Sequence, residues 1–235
     1  MIGYGKMGKT VEKAALARKH HISLIIDNDT DWQIKGNKLN GCDIAIEFTT
    51  PETASENIRR CFDAGVPVVS GTTGWFNDLP GIKKLCLAKK QTLFYASNFS
   101  IGVNIFFALN KKLAGMVAEM DGYQPRIIET HHAEKLDAPS GTAITLAKDI
   151  IDARRSLDQW GDASEKLPAN VLPVKSYRIE NITGTHVVSY NSVIDNLEIR
   201  HTAHNRSGFA EGAILAAEWV HNKEGIFTMQ DMLNL

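Results

Sequence analysis

Residues Glu129 to Ala143 read ETHHAEKLDAPSGTA, placing two adjacent histidines, a lysine and a Ser-Gly-Thr step in one short polar stretch. Histidine takes up and releases protons near neutral pH, and lysine supplies a compact positive charge. Ser140, Gly141 and Thr142 directly precede or open the helical pattern TAITLAKDIIDARR. They therefore fall where backbone amides are free and the helix dipole is positive. An anion suits such a cradle, with Lys135 adding charge and a histidine able to deliver a proton. A purely structural reading has Asp137 and Ser140 capping the helix, Pro139 stiffening the turn and Lys135 solvated. Capping requires neither a histidine pair nor a lysine, so it accounts for fewer of these residues. His131 and His132 end a predicted strand, where neighbouring side chains face opposite ways. One metal ion would not readily take both, and no metal is expected.

A second motif stands at the start of the chain. GYGKMG sets Gly3, Gly5 and Gly8 in GxGxxG spacing before the helical pattern KTVEKAALARKH. Glycines there allow a tight turn and close approach of a pyrophosphate to helix-terminal amides. The motif alone is weak evidence, but Asp27 ends the next apolar run about twenty residues on, where a carboxylate accepts from a ribose hydroxyl. Asn28 follows and no arginine stands there to receive a 2′-phosphate, which favours NADH over NADPH, with Lys6 offsetting part of the repulsion. GTTG (Gly71 to Gly74) and ASNFS (Ala96 to Ser100) end two further apolar runs, the positions at which open α/β sheets bind ligands. Only Met1 and Ile2 precede Gly3, fewer than the roughly five residues of a typical strand, so a shortened first strand is expected.

These loops need a scaffold. HISLIID (21–27), CDIAIEFT (42–49), VPVVSGT (66–72) and TLFYASN (92–98) are apolar runs separated by helical patterns over 52–64 and 79–90. Such alternation predicts βαβ units and a parallel sheet. After Asn98 come a long helical stretch (100–120), a strand over 125–132, the polar segment and a helix over 142–155. VLPVKSYRIE, GTHVVSYNS and DNLEIRHTAH then alternate as antiparallel strands do, and AEGAILAAEWVHN is small and apolar all round, as a buried helix is. The expected architecture is α/β: a Rossmann-like parallel-sheet domain plus an α+β domain with a mostly antiparallel sheet.

The 235 residues are 43% hydrophobic, enough for a sizeable core, and the formal net charge of −1 gives no reason to expect a nucleic-acid partner. No apolar run approaches the roughly 20 residues that span a bilayer, and no signal-peptide pattern opens the chain, so no membrane partner is expected. Cys42, Cys61 and Cys86 form no CxxC pair and read as buried hydrophobes in a reducing compartment, which points to the cytoplasm. His186, His201 and His204 read first as structural or solvated, the four tryptophans as core or interface, and Arg206 in HNRSGFA as a possible support for the anion site.

With GYGKMG, GTTG, ASNFSIGVN and ETHHAEKLDAPSGTA in this order over its full length, the chain resembles the dihydrodipicolinate reductases of diaminopimelate and lysine biosynthesis. HHxxKxDAPSGTA is the most specific element. The resemblance implies reduction, by NADH or NADPH, of the cyclic imine dicarboxylate derived from 4-hydroxy-tetrahydrodipicolinate to tetrahydrodipicolinate. It implies His131 as the acid, Lys135 as the substrate anchor, and His132, Gly141 and Thr142 as further substrate contacts. Gly3, Gly5, Lys6, Met7, Asp27, Gly71, Thr73, Ala96 and Phe99 match dinucleotide contacts. A dinucleotide-binding domain over 1–100 and 207–235, a substrate-binding and tetramerisation domain over 101–206, a homotetramer and closure between the domains follow from the same resemblance. The short first strand and the absent arginine after Asp27 depart from the family pattern and bear on cofactor preference. Two other functions are compatible with the motifs: a related nicotinamide oxidoreductase acting on an amino-acid-like dicarboxylate, and a dinucleotide-binding regulator without catalysis.

Overall fold

The computed structural model describes residues 1–205 and 207–235, which form two compact units, Met1–Ile101 with Ser207–Leu235, and Gly102–Arg206. In the first unit, Met1 to Gly3 run extended between two neighbours: Ile2 N–H donates to the Ile46 carbonyl at 2.9 Å and Gly3 N–H to the Ile26 carbonyl at 2.8 Å. HISLIID, expected as a full strand, contributes a single bridge, Ile26 to Ile2. Helix α1 (Lys6–Ala17) leaves the glycine loop, and α2 (Asp29–Lys35) follows Asp27.

Strands β1 (Ala45–Glu47), β2 (Val68–Ser70) and β3 (Thr92–Tyr95) pair in parallel, joined by helices α3 (Pro51–Asp63) and α4 (Leu79–Ala88). Pro51 opens α3, where its missing N–H has no helical partner to lose. Ala54, Ile58, Cys61 and Phe62 then form one buried stripe at helical spacing, as do Ile82 and Cys86 of α4. Burial raises the Cys61 thiol and pushes that of Cys86 up to about 11, while Cys42 is partly exposed. Val68, Val69, Leu93 and Phe94 are buried whichever face they point to, because helices cover this sheet on both sides.

The second unit begins after Ile101, the first residue of helix α5 (Ile101–Val117), and continues with β4 (Gln124–His131), α6 (Gly141–Ala153), β5 (Gln159–Asp162), β6 (Val171–Arg178), β7 (Gly184–Asn191) and β8 (Asn196–Ala203). The sheet order is β5-β6-β4-β7-β8. The long ladders β4·β7 and β7·β8 are antiparallel, whereas β6 joins β4 in parallel and β5 joins β6 in parallel. The sheet is thus mixed, and VLPVKSYRIE lies alongside β4 in the same direction. Two returns cause this: α6 is a crossover after which β5 repeats the direction of β4, and the connection over 163–170 brings the chain back once more before β6. Ile127, Leu146, Ile150, Leu172, Val188 and Tyr190 form the core of this unit.

The chain ends in the first unit with α7 (Ser207–Val220), β9 (Gly225–Phe227) and α8 (Met229–Leu233). Ala210, Ala213, Ile214 and Ala217 of α7 pack in one cluster with Val11 and Ala15 of α1 and Phe94 of β3. Gly212 permits this approach, since a β-carbon there would overlap the Phe99 carbonyl. β9 adds a fourth parallel strand beside β3. Among the described residues no helix is long and apolar enough to cross a membrane.

Candidate active site

In the first unit, the expected cofactor residues follow the carboxyl ends of the parallel strands. Gly3 has a positive φ of 85° and lies against the Phe48 carbonyl, while Gly8 lies against the carbonyl of Gly3, so both are required by packing. Gly5 differs. It precedes α1 with φ −73°, no side chain caps that helix, and a β-carbon at Gly5 would meet nothing within 4 Å. The fold has no need of glycine there, and the first-turn amides of α1, at Lys6 and Met7, have no partner within the helix. A pyrophosphate fits such a cradle. Asp27 accepts a hydrogen bond from Tyr4 N–H at 2.6 Å, holding its carboxylate at the edge of the glycine loop. Gly71 is packed under the Phe48 ring, Thr73 is exposed in the same loop, and Ala96 N–H donates to the Ser70 carbonyl at 3.2 Å. Phe99 is core, its ring 5.8 Å from that of Phe94 and its carbonyl packed against Gly212.

Sequence reasoning passed over Glu47, which organises these loops. It is fully buried and accepts from Thr49 N–H (3.0 Å), Thr49 Oγ1, Thr72 Oγ1 (2.8 Å) and Ser70 Oγ (2.6 Å). An acid inside the apolar run IAIEF (44–48) was the available signal, because a carboxylate enters such a strand only with donors waiting for it.

In the second unit, β4 brings Glu129 and His131 to the same face of the sheet, two residues apart. Both are buried, and His131 Nδ1 lies 3.3 Å from Glu129 Oε2. The other carboxylate oxygen, Oε1, accepts from Ser140 N–H (3.0 Å), Ser176 Oγ (2.7 Å) and Arg178 Nη2 (3.3 Å). Burial pushes the Glu129 carboxyl up, but its contacts with His186, Ser140 and Ser176 outweigh this and hold it well below the usual carboxylate range. His131 is lowered to about 4, first by burial, with His186, Lys135 and Arg178 adding to the effect and Glu129 opposing it. His132 is partly exposed at the end of the strand.

Lys135 lies in the following turn, paired with Asp137 at 2.7 and 2.9 Å, a hydrogen bond that lowers the Asp137 carboxyl. Arg178 fixes that turn through the Lys135 carbonyl (3.2 Å) and the Asp137 carbonyl (2.5 Å). After a cis Ala138–Pro139 bond, the Ser140 side chain caps α6 by accepting from Ala143 N–H. A β-carbon at Gly141 would meet nothing within 4 Å, so here too the start of a helix has open space before it. Glu129, His131 and His186 are the one group of three among the described residues whose ligand atoms converge to within 4.8 Å. A cation there would meet Arg178 on the same carboxylate, and the arrangement reads as a carboxylate shared by two imidazoles and a guanidinium. His186, expected as structural, is therefore part of the cluster. His201 packs on Phe106 and its imidazole is lowered by burial, and His204 is exposed. Arg206 lies outside the described residues.

A four-stranded parallel sheet with a glycine-lined helix start, joined to a unit with a mixed sheet, defines a Rossmann-like oxidoreductase with the dinucleotide-binding fold. The chain belongs to the dihydrodipicolinate reductase family: residues 1–99 match "Dihydrodipicolinate reductase, N-terminus" and residues 102–233 match "Dihydrodipicolinate reductase, C-terminus". It is 46% identical to the 4-hydroxy-tetrahydrodipicolinate reductase of Christiangramia forsetii, over all of this chain and 96% of that one. It is 39% identical to the enzyme of the same name from Chromobacterium violaceum, over 84% of this chain and 75% of that one. Among solved structures, dipicolinate-bound dihydrodipicolinate reductase from Paenisporosarcina sp. TG-14 has the same fold, with a TM-score of 0.72 at 24% identity over 98% of this chain and 97% of that one. GenD2 from gentamicin A biosynthesis, in complex with NAD, matches at a TM-score of 0.55 and 10% identity over 94% of this chain and 85% of that one.

Proposed function

We propose that this chain reduces the cyclic imine dicarboxylate formed by dehydration of 4-hydroxy-tetrahydrodipicolinate to tetrahydrodipicolinate, with NADH preferred over NADPH, His131 as proton donor and Lys135 as substrate anchor. One observation carries the reading. Glu129 binds Ser140 N–H at the start of α6 and lies 3.3 Å from His131, so a proton carrier and an anion cradle share one buried anchor.

When bound, the nicotinamide supplies the hydride. Gly3, Gly5, Lys6 and Met7 would hold the pyrophosphate, Asp27 the ribose hydroxyls, and Gly71, Thr73, Ala96 and Phe99 the nicotinamide half. The substrate carboxylates take His132, Lys135 and the amides of Gly141 and Thr142. As one ring carbon gains a C–H bond, the electron pair of the opened double bond takes a proton from His131 at the adjacent atom. His131, lowered to about 4, is neutral at pH 7 before substrate arrives. Two substrate carboxylates favour the imidazolium and offset Lys135 and Arg178, so the proton is held only when there is something to receive it.

In this reading 1–100 with 207–235 bind the dinucleotide and 101–206 bind substrate and assemble a cytoplasmic homotetramer. Exposed Trp160, Tyr177 and Leu197 on the second sheet, with Val193 and Ile194 beyond β7, support assembly through that unit.

Oxidation of NADH and NADPH tests the function, with substrate freshly made from pyruvate and aspartate semialdehyde by the preceding pathway enzyme. Substrate-dependent oxidation, faster with NADH, is expected. No oxidation with either cofactor by the folded protein would overturn the reading in favour of another oxidoreductase or a regulator.

A further inference from the structure

We infer that Glu129 is the positioning residue of His131, fixing the imidazole with its hydrogen on Nδ1 so that Nε2 is the atom that takes up and delivers the proton. This rests on the reading of His131 as proton donor.

The geometry leaves the carboxylate little freedom. Glu129 is fully buried, and its Oε1 is held by a backbone amide, a hydroxyl and a guanidinium from three places in the unit, Ser140, Ser176 and Arg178. Oε2 is thereby turned toward two imidazoles, His131 Nδ1 at 3.3 Å and His186 Nε2 at 3.6 Å. Both Oε2 and His131 Nδ1 are buried, and neither has a hydrogen-bond partner among the described residues beyond the 3.3 Å approach to the other. Buried polar atoms are rarely left unpaired, and these two are each other's nearest candidates.

An ionised carboxylate only accepts, so a nitrogen facing it carries the hydrogen. Nδ1–H toward Oε2 leaves Nε2 bare in the neutral ring and makes it the site of the second proton in the imidazolium. The ring has few alternatives. A β-carbon at Gly184, across the β4·β7 ladder, would stand 3.2 Å from both Cδ2 and Nε2 of His131, so the imidazole fills the room that glycine leaves. His186 meets it edge to face, with centroids 5.0 Å apart. The charged and titratable groups facing His131 are Glu129 on its own strand, His186 from β7, Arg178 from β6 and Lys135 from the turn. Of these, Glu129 alone favours the imidazolium. It therefore also stabilises the ring in the state that donates.

The test is nitrogen-15 NMR of histidine-labelled protein at pH 7.5, with His131 assigned by its loss in His131→Gln. The Nδ1–H tautomer is expected in the parent chain, and the Nε2–H tautomer there would overturn the inference without any variant having to fold. In Glu129→Gln, whose amide can turn its NH₂ toward Nδ1, the Nε2–H form is expected. With it should come a fall in kcat of about a hundredfold or more at little-changed KM for NADH, in line with other histidine-orienting carboxylates. Glu129→Asp should recover part of that rate together with the parent tautomer. If Glu129→Gln keeps the parent tautomer and rate while His131→Gln is inactive, Glu129 does not position the ring but His131 remains the donor. If His131→Gln itself retains the parent rate, the donor assignment fails.

Discussion

Asp27 accepts a hydrogen bond from the Tyr4 backbone N–H at 2.6 Å, which holds a carboxylate against the loop that carries the glycine fingerprint. A 2′-phosphate on the adenosine ribose would meet this charge and that of exposed Asp29 at the start of α2, whereas Asp31 is already committed to Lys35 at 2.6 Å. Asp27→Asn keeps an acceptor for Tyr4 and removes the charge. The ratio of kcat/KM for NADPH to that for NADH should then rise about tenfold, equivalent to about 1.4 kcal/mol. Steady-state kinetics with both cofactors decides the matter, and an unchanged ratio would free Asp27 of any part in discrimination.

Gly3 and Gly5 belong to the same motif and have opposite reasons for being glycine. At Gly3 the positive φ and the Phe48 carbonyl both reject a β-carbon, so Gly3→Ala should lower the urea unfolding free energy by several kcal/mol, on the scale of about 1–3 for each such backbone or packing fault. At Gly5 neither objection applies. Gly5→Ala should leave stability within about 0.5 kcal/mol of the parent. Titration of fluorescence with NADH should nevertheless show at least about tenfold weaker binding, because the methyl group occupies the pyrophosphate cradle. Normal binding by Gly5→Ala would show that the open space is not where the phosphates lie.

Much of the scaffold was legible because its physics is local. Burial on both faces makes VPVVS and TLFY continuous apolar runs, and the stripe Ala54, Ile58, Cys61, Phe62 carries the helical period. What pairing decides was harder to read. The direction of β6 depends on the two connections, through α6 and over 163–170, that lead to it, and HISLIID has the composition of a strand but pairs through Ile26 alone. The site divides the same way. His131, Lys135 and Gly141 stand together in one segment, whereas Arg178 and His186 reach Glu129 from β6 and β7, and nothing in their own neighbourhoods marks them. Glu129 itself stood in the open, two residues before His131 on a strand, with spacing that puts both on one face.

Glu47 gives the first unit a buried carboxylate comparable to Glu129 in the second, with a structural duty. Four donors from Thr49, Ser70 and Thr72 converge on it and tie the end of β1 to the loop after β2. Glu47→Ala strands the three hydroxyls, at about 1–3 kcal/mol for each donor left unpaired, while Thr49 N–H keeps Thr72 Oγ1 at 2.7 Å. A loss of at least about 3 kcal/mol in urea unfolding is expected, with weaker NADH binding as the loop carrying Gly71 and Thr73 loosens. A variant of parent stability would mean that water or the neighbouring hydroxyls satisfy the donors without it.

His131 also makes stability depend on pH. Its folded value of about 4 lies below the ordinary histidine value of about 6.5 expected in the unfolded chain. Between these two the unfolded chain binds the extra proton and the native chain does not, so stability falls as pH drops through that window. The group's full contribution is present above about pH 7 and is lost by about pH 4, a change of about 3 kcal/mol. Glu129 and Glu218, both held below the usual carboxylate range, lose their contributions at lower pH, through protonation of the native carboxylates after that of the unfolded ones. Half-buried His201, lowered for the same reason as His131, adds a slope of the same sign. Comparing the parent with His131→Gln therefore isolates one group: urea unfolding between pH 7 and pH 4 should be less pH-dependent in the variant by about 3 kcal/mol. Parallel curves would show that the imidazole gains its proton in the native state as readily as in the unfolded one, and the neutral resting form proposed for the catalytic cycle would have to be given up.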